Sequence, residues 1–270
     1  MMIPKSKILS TIFYDIETTT RYKTFEEYKE AEPFMADEFI YRCDISDKWK
    51  GVPYDKAYTE CGMLHPEHGQ VVSIAYKLPV PEGGFDGEIL GFKDWSDYES
   101  RDKKWADKDM LIQFNELLFN AFGEKNGILG GYRINHFDNP FLFKRMIING
   151  IYPQQTLNSV GKPKWELNNI ELYDWWNALG VNGMCGFGGA CEVVGVKNPK
   201  EDDIQGRFVG SRFWDDHDID GINRYCMRDV DSSIHFAVAL SEEKLRSRHQ
   251  KTMEDYNKRM KEKKESESVE

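Results

Sequence analysis

Residues 8–19 read Ile-Leu-Ser-Thr-Ile-Phe-Tyr-Asp-Ile-Glu-Thr-Thr, and this stretch decides the fold. Its first seven residues are largely apolar or β-branched and include no glycine or proline, which is typical of a buried strand. Because strand side chains alternate between faces, Asp15 and Glu17 share the face of Phe13. Two carboxylates at the end of a core strand are costly to bury unless a cation such as a divalent metal lies opposite. The alternative is a strand that ends here, with both acids in solvent.

Length and charge limit the classes of function. A chain of 270 residues can form one large α/β domain or two small ones, and 40% hydrophobic with 13% aromatic residues is a globular composition. The 36 basic and 46 acidic residues give a net charge of −10, so the molecule as a whole repels nucleic acid. This disfavours a protein that coats DNA passively. It permits a nuclease that binds through a local basic groove or through metal ions.

The cysteine content and the apolar segments predict the compartment. The five cysteines are odd in number and have no disulfide-framework spacing, which indicates free thiols in a reducing environment. The N-terminal residues lack a signal-peptide pattern, and no apolar run reaches 18 residues. We therefore expect a soluble, cytoplasmic protein that makes no membrane contact.

A polar excursion at about residues 19–69 carries four potential zinc ligands: Cys43, Cys61, His65 and His68. Their spacing matches no structural zinc pattern, and Cys43 has no CxxC partner, so zinc is disfavoured. Within the excursion we predict one helix near residues 24–31. The remainder is expected to be ordered and packed by its aromatic side chains.

The rest of the chain alternates between strand and helix patterns. The predicted strands cover residues 70–78, 88–92, 127–134 and 170–173. The predicted helices run from 107 to near 123, from about 138 to 150, from 175 onward, from 186 to 196 and from 218 to 240. Together with the first strand, this order predicts an α/β fold with a mixed five-stranded sheet and helices on both faces.

The C-terminal residues differ in composition from the rest. Residues 244–270 are rich in charge and retain only a thin apolar stripe. This pattern predicts a solvated helix that frays into a disordered end. We therefore expect a functional domain over residues 1–243, followed by a charged helical tail.

Two further acids stand next to apolar segments. Asp138 follows a predicted strand at the start of a helix, where Asp138 or Asn139 is placed to cap that helix. Asp229 lies four residues after Tyr225 in the long helix, so the phenol and the carboxylate share one helix face. Taken alone, Asp138 is equally well explained as a cap, and Tyr225 and Asp229 are better explained as a core aromatic and a surface acid.

Taken together, the acids resemble the three motifs of the DnaQ-like DEDD 3′–5′ exonucleases. These motifs are Asp15-x-Glu17, Asn135-x-Phe137-Asp138 and Tyr225-x3-Asp229. The tyrosine indicates the DEDDy branch, because the DEDDh branch has histidine at the position of Arg224. Longer stretches at 64–72, 131–142 and 206–230 resemble the exonuclease domains related to family B DNA polymerases, over about residues 8–240. Arg133 departs from these relatives, which often carry asparagine there.

The resemblance implies a ribonuclease H-like fold and a site for two Mg²⁺ or Mn²⁺ ions. It implies that Asp15 bridges both metals and that Glu17 and Asp229 complete the site that holds the nucleophilic water. Asp138 would serve the second metal beside the leaving 3′ oxygen. Tyr225 would orient the attacking water.

The resemblance also predicts the substrate. Thr18 and Asn135 are expected to contact the terminal nucleotide, although a turn residue and a strand end explain them equally well. The predicted substrate is the 3′ end of single-stranded or frayed DNA, with RNA left open, in replication or repair. A polymerase or another replication protein is the candidate partner. The alternative is a catalytically silent module that binds nucleic acid, which is disfavoured because all four acids and the tyrosine are present.

Overall fold

The computed structural model describes residues 2–123, 127–163, 166–177, 185–199 and 206–267, with side chains as far as Lys261. Five strands within these ranges form one sheet in the order β3-β2-β1-β4-β5. They are β1 (Thr11–Thr20), β2 (Gly69–Pro79), β3 (Phe85–Gly91), β4 (Ile128–Gly131) and β5 (Ile170–Glu171). The β1–β2 and β2–β3 pairs are antiparallel, and the β1–β4 and β4–β5 pairs are parallel. The predicted mixed five-stranded α/β sheet is confirmed.

Helices precede, connect and follow the strands. The first six are α1 (Lys5–Ile8), α2 (Phe25–Ala31), α3 (Pro33–Asp44), α4 (Tyr54–Cys61), α5 (Trp95–Glu99) and α6 (Lys108–Phe122). The others in the described ranges are α7 (Asp138–Ile148), α8 (Leu172–Trp176), α9 (Phe187–Val193), α10 (Val209–Trp214), α11 (Ile219–Ala239) and α12 (Glu242–Glu267).

The core lies on both faces of the sheet, as predicted. On one face Ile12, Tyr14 and Ile16 of β1 belong to a hydrophobic cluster that includes the apolar sides of α6 and α7. On the other face Phe13 packs with residues of α9 and α11. Because side chains alternate along β1, Asp15 and Glu17 share the face of Phe13 and point toward α11.

The first strand differs from its prediction at both ends. Ile8 belongs to α1, and β1 begins at Thr11 and continues to Thr20. The prediction of a strand from residue 8 that ends at the acids is wrong. Pairing with β2 extends to Thr20↔Gly69 and keeps the chain extended, so Asp15 and Glu17 lie within the strand. A register shift after Glu17 marks the point where the pairing becomes irregular.

Two later strands are shorter than predicted. β4 ends at Gly131, because Arg133 takes a left-handed conformation with φ of 67° and the chain turns away from the sheet. β5 ends at Glu171, where α8 begins. The loop that follows β4 leaves the neighbouring edge of β1 open beyond Phe13, the last residue paired with β4.

Residues 21–64 form a helical excursion that contains α2, α3 and α4. The predicted helix near 24–31 is confirmed by α2, which begins where the Thr24 side chain accepts a hydrogen bond from the Glu27 amide. The other two helices were not predicted. The excursion has its own buried cluster, made of Tyr22, Phe25, Tyr28, Ala36, Phe39, Cys43, Ala57, Tyr58 and Cys61.

The C-terminal half ends in two long helices. α11 matches the predicted helix, and the Asp218 side chain caps it by accepting from the Gly221 amide. α12 spans 26 residues, and its side chains from Arg246 to Lys261 are exposed. We retain the proposal that residues 1–243 form the functional domain and that residues 244–270 are an appended charged segment. Within the described ranges, no helix combines the length and the apolarity needed to cross a membrane.

A buried ion pair joins three elements of the core. Arg145 on α7 donates from Nε and Nη2 to the two Asp107 carboxylate oxygens, at 2.9 and 2.7 Å, and both side chains are fully buried. Asp107 Oδ2 also accepts from the Val71 amide of β2 at 3.0 Å. Arg145 Nη1 donates to the Pro66 carbonyl at 3.2 Å. This pair therefore fixes α7 against the start of α6 and the start of β2.

Removing one member of that pair is expected to be strongly destabilising. Arg145→Met leaves the Asp107 carboxylate buried without its cation, which typically costs about 3–5 kcal/mol in the free energy of unfolding. Lys144→Met is the matched control on the same helix, because its partially exposed pair with Glu67 is worth about 0–1 kcal/mol. Urea denaturation of both variants measures the difference. Equal costs for the two variants would show that the buried pair contributes little.

Candidate active site

The acids of β1 face α11. Asp15 and Glu17 lie with Cys226 so that one ligand atom from each is within 4.8 Å of the others, and in the described part of the chain only these three residues form such a group. The Cys226 thiol donates to the Asp15 carbonyl at 3.3 Å and lies 3.8 Å from Asp15 Oδ2. Glu17 is only 8% exposed. This group can hold a metal ion, and Cys226 is a member that the sequence did not indicate.

Asp138 approaches the same strand from α7. It is the first residue of the helix and is 3% exposed, and its Oδ1 accepts from the Ile16 amide at 3.1 Å. This amide is available because β4 has already ended. The predicted capping role is wrong: Phe137 is the N-cap residue and makes no side-chain capping bond, while the Asn139 side chain accepts from the Tyr14 hydroxyl at 2.5 Å.

Tyr225 and Asp229 come from α11, one turn apart. Tyr225 is 2% exposed, and its hydroxyl donates to the Asp229 carboxylate. Burial, followed by the charges of Asp229, Glu17 and Asp15, raises the pKa of Tyr225 far above its ordinary value. The phenol therefore stays protonated. All five residues predicted as catalytic are brought into one electrostatically coupled group.

Burial and mutual repulsion dominate the electrostatics of this group. Desolvation, followed by the charges of Asp138, Asp229 and Glu17, raises the pKa of Asp15 well above its usual range. Desolvation and the neighbouring Glu171 raise the pKa of Asp138 to about 8. The protein thus holds carboxylates whose charged forms are disfavoured unless a cation is present. Hard oxygen donors in such a setting fit a divalent cation.

Glu171 is a buried acid that sequence reasoning missed. Its carboxylate accepts from the backbone amides of Arg133, Asn135 and Tyr173 at 2.6, 2.8 and 3.1 Å. These bonds hold the loop between β4 and α7, including the left-handed Arg133, and so fix where Asp138 enters the site. The signal in the sequence was an acid directly after the apolar Ile170, the same pattern that singled out Asp15.

The two residues predicted to contact substrate lie beside the acids and make bonds within the protein. The Thr18 hydroxyl donates to the Met63 carbonyl at 2.8 Å and ties β1 to the end of the helical excursion. Asn135 Oδ1 accepts from Asn139 Nδ2 at 3.0 Å and from Asn169 Nδ2 at 2.7 Å. Both side chains therefore order the segments around the site. Their contact with substrate stays a prediction.

The four residues weighed as zinc ligands line one cavity of about 470 Å³ in the excursion. Burial raises the pKa of Cys61 to about 11, so its thiol is protonated at neutral pH. Burial, followed by the charge of His65, lowers the pKa of His68 to about 4, and its Nδ1 shares a hydrogen bond of 2.7 Å with the Tyr28 hydroxyl. Within the described ranges, this cavity brings no three of these side chains to metal-ligand spacing.

Comparison with known proteins identifies the fold. No protein-family model matches the sequence, and no curated protein matches it significantly. The structure is similar to that of the family B DNA polymerase from the hyperthermophilic archaeon Pyrobaculum calidifontis, with a TM-score of 0.52 and 19% sequence identity. The match covers 85% of this chain and 24% of the polymerase chain, so this protein spans about a quarter of that polymerase. The likeness agrees with the predicted ribonuclease H-like α/β fold.

The raised pKa values predict how the metal-free protein responds to pH. A carboxyl group with a higher pKa in the folded state than in the unfolded state makes folding less favourable as pH rises from the unfolded value toward the folded one. For Asp138 this window extends from about pH 4 to about pH 8. In EDTA we therefore expect Tm to fall between pH 6 and pH 8. Asp138→Asn should reduce this fall, by about 2–4 °C for each kcal/mol of relieved repulsion.

The control is Asp37→Asn, which alters an exposed acid on α3. Thermal unfolding of both variants and the wild type at pH 6 and pH 8 makes the comparison. If Tm falls equally with pH in all three proteins, ionisation of Asp138 does not destabilise the folded state. A shallower slope in Asp138→Asn alone, with Mg²⁺ producing the same effect in the wild type, would confirm the electrostatic account.

Proposed function

We propose that this protein is a metal-dependent 3′–5′ exonuclease that removes nucleotides from the 3′ end of single-stranded or frayed DNA. The proposal rests on one observation: residues from β1, α7 and α11 lie close together in the fold. They are Asp15, Glu17, Asp138, Asp229 and Tyr225. Their order and spacing resemble the DEDDy motifs. The polymerase-like fold supports a nucleic-acid substrate.

The acids would hold two Mg²⁺ or Mn²⁺ ions. Such a pair of metals activates a water molecule and stabilises negative charge on the attacking and leaving oxygens of a phosphodiester. Asp15 and Glu17 present their carboxylates from one strand face, and Asp229 approaches from α11. Asp138 is held at the edge of the strand by the Ile16 amide. The chain thus supplies carboxylates from β1, α7 and α11 around a single point on β1.

Tyr225 acts as a positioning residue and not as a base. Its raised pKa keeps the hydroxyl protonated, and its bond to Asp229 fixes the ring over the acid group. Because its single proton goes to Asp229, the phenol can orient an attacking water by accepting a hydrogen bond from it, while a carboxylate takes up the proton of that water. The Cys226 thiol has a pKa raised well above its ordinary value by burial, so it donates to Asp15 as a neutral group.

The same site could act alone or could proofread for a polymerase in trans. An exoribonuclease would use the same chemistry, because the residues named above act on the phosphate oxygens and not on the sugar. The sugar preference is therefore an outcome to be measured. A catalytically silent binding module is disfavoured, because it would have no need for four mutually repelling acids.

The direct test is degradation of oligonucleotides labelled at the 5′ end. With Mg²⁺ or Mn²⁺ we expect a ladder of products that shorten one nucleotide at a time from the 3′ end, and EDTA should abolish it. Asp15→Asn should lower the rate by about 10³-fold or more through loss of metal binding. Tyr225→Phe should lower it by about 10²-fold, as loss of one positioning hydrogen bond does, and should leave the Mg²⁺ dependence unchanged.

The control for these variants is Asp37→Asn, which changes an exposed acid on α3 outside the acid group and should keep the wild-type rate. A DNA and an RNA strand of the same sequence, tested in parallel, identify the preferred sugar. Release of a single labelled fragment from internal cleavage would contradict the exonuclease assignment. Wild-type turnover by Asp15→Asn would show that the reaction does not use this acid group.

A further inference from the structure

A second feature adjoins the acid group and has no role in the chemistry described so far. It is a cavity of about 710 Å³ between the helical excursion and α10, here called the excursion groove. One wall carries Lys23, Thr24 and Thr59, and the other carries Arg207 and Trp214. The end of β1 also lines it. The excursion thus forms one wall of a cleft next to the acids.

Three features of the structure place the excursion groove beside the acid group. Thr19, which lines it, follows Glu17 by two residues on β1. Met63 also lines it, and its carbonyl accepts the Thr18 hydroxyl. A Cβ atom on Gly206 would lie 3.8 Å from the Tyr225 hydroxyl, and the next residue, Arg207, lines the groove. A nucleic-acid strand whose end lies at the acids can therefore continue into this cleft.

The groove contains a buried hydroxyl without a partner. In the part of the chain that the structure describes, Thr19 Oγ1 has no hydrogen-bond partner although Thr19 is fully buried. It lies against Gly210, where a Cβ atom would come within 3.7 Å of Thr19 Oγ1. Such a group is costly unless a polar atom satisfies it, so the base of the groove holds one unused hydrogen-bonding group.

The charges of the groove suit a phosphate that competes with an internal acid. Lys23 Nζ lies 2.9 Å from Asp215 Oδ1 and donates to the Trp214 carbonyl at 3.2 Å. Both members of this ion pair are about half exposed, so the pair is weak and a phosphate can replace the carboxylate. Glu60 and Asp215 also line the groove, so it is not uniformly basic. Phosphate binding must therefore depend on Lys23 and Arg207 individually.

We propose that the excursion groove receives the phosphodiester backbone of a single DNA strand just upstream of its 3′-terminal nucleotide. Lys23 and Arg207 contact backbone phosphates, and the Thr24 hydroxyl donates to a phosphate oxygen. The helical excursion closes one side of the path, so a frayed single strand enters and an intact duplex does not. This inference rests on the proposed exonuclease function and adds the route of the substrate.

The test measures binding without cleavage. Full-length protein in EDTA is titrated against fluorescein-labelled oligo(dT) of about ten nucleotides, a length suited to a single-strand site, over a series of salt concentrations. Lys23→Ala should raise Kd about three- to tenfold and reduce the salt slope by about 0.7, the value for one lost phosphate contact on a single strand. Asp215→Asn should lower Kd, because it releases Lys23 and removes a like charge.

Gly210→Ala separates binding from folding. The added methyl group fits at ordinary contact distance and favours the helix, yet it occupies space between α10 and the groove-lining residues Thr19 and Met63. We expect an unchanged or higher Tm together with a higher Kd. Lys29→Ala is the matched control, since Lys29 is an exposed lysine of the excursion outside the groove. It should bind like the wild type.

The outcomes distinguish this inference from the proposed function. If the wild type degrades DNA while Lys23→Ala and Gly210→Ala bind as tightly as the control, the groove is not the route and the exonuclease assignment stands. Weaker binding by Arg133→Ala in that case would place the strand on the opposite side, where Arg133 lies 4.9 Å from the Tyr173 ring. If the wild type neither binds nor degrades oligonucleotides, both proposals are wrong.

Discussion

Repulsion among four carboxylates around one point on a core strand is the constraint on which the rest of this structure depends. Desolvation, followed by the negative charges of Asp138, Asp229 and Glu17, raises the pKa of Asp15. Other interactions hold three of these four groups in place. The Ile16 amide holds Asp138, the Tyr225 hydroxyl holds Asp229, and the Cys226 thiol bonds to Asp15. A cluster arranged at such a cost supports the metal-binding role that we propose.

The sheet meets this constraint through the unequal lengths of its strands. β1 is paired along its acids by β2 but is paired by β4 only as far as Phe13. The early end of β4 opens the edge of β1 to α7, and Glu171 holds the intervening loop through three backbone amides. α11 covers the face that carries Asp15. The site therefore exists where a long strand passes beyond a short neighbour.

The two-residue alternation of strand side chains and the 3.6-residue periodicity of helices predicted most of the sheet and helix framework. The alternation at Phe13 and Asp15 gave the correct faces, and the spacing of Tyr225 and Asp229 gave one helix face toward the acids. The strand ends were less predictable, because pairing with β2 and the left-handed turn at Arg133 are tertiary effects. The helices α3 and α4 were missed because their buried residues are few and separated by charged ones. Glu171 and Cys226 could not be assigned roles, since both act through contacts distant in sequence.

The central claim is that the acid group of β1, α7 and α11 binds divalent metal. Anomalous diffraction from crystals soaked in MnCl₂ tests it most directly. The account predicts anomalous density in contact with the carboxylates of Asp15 and Glu17, bordered by Asp138 and Asp229. Absence of manganese at Asp15 and Glu17, with density instead in the cavity of Cys43, Cys61, His65 and His68, would contradict it.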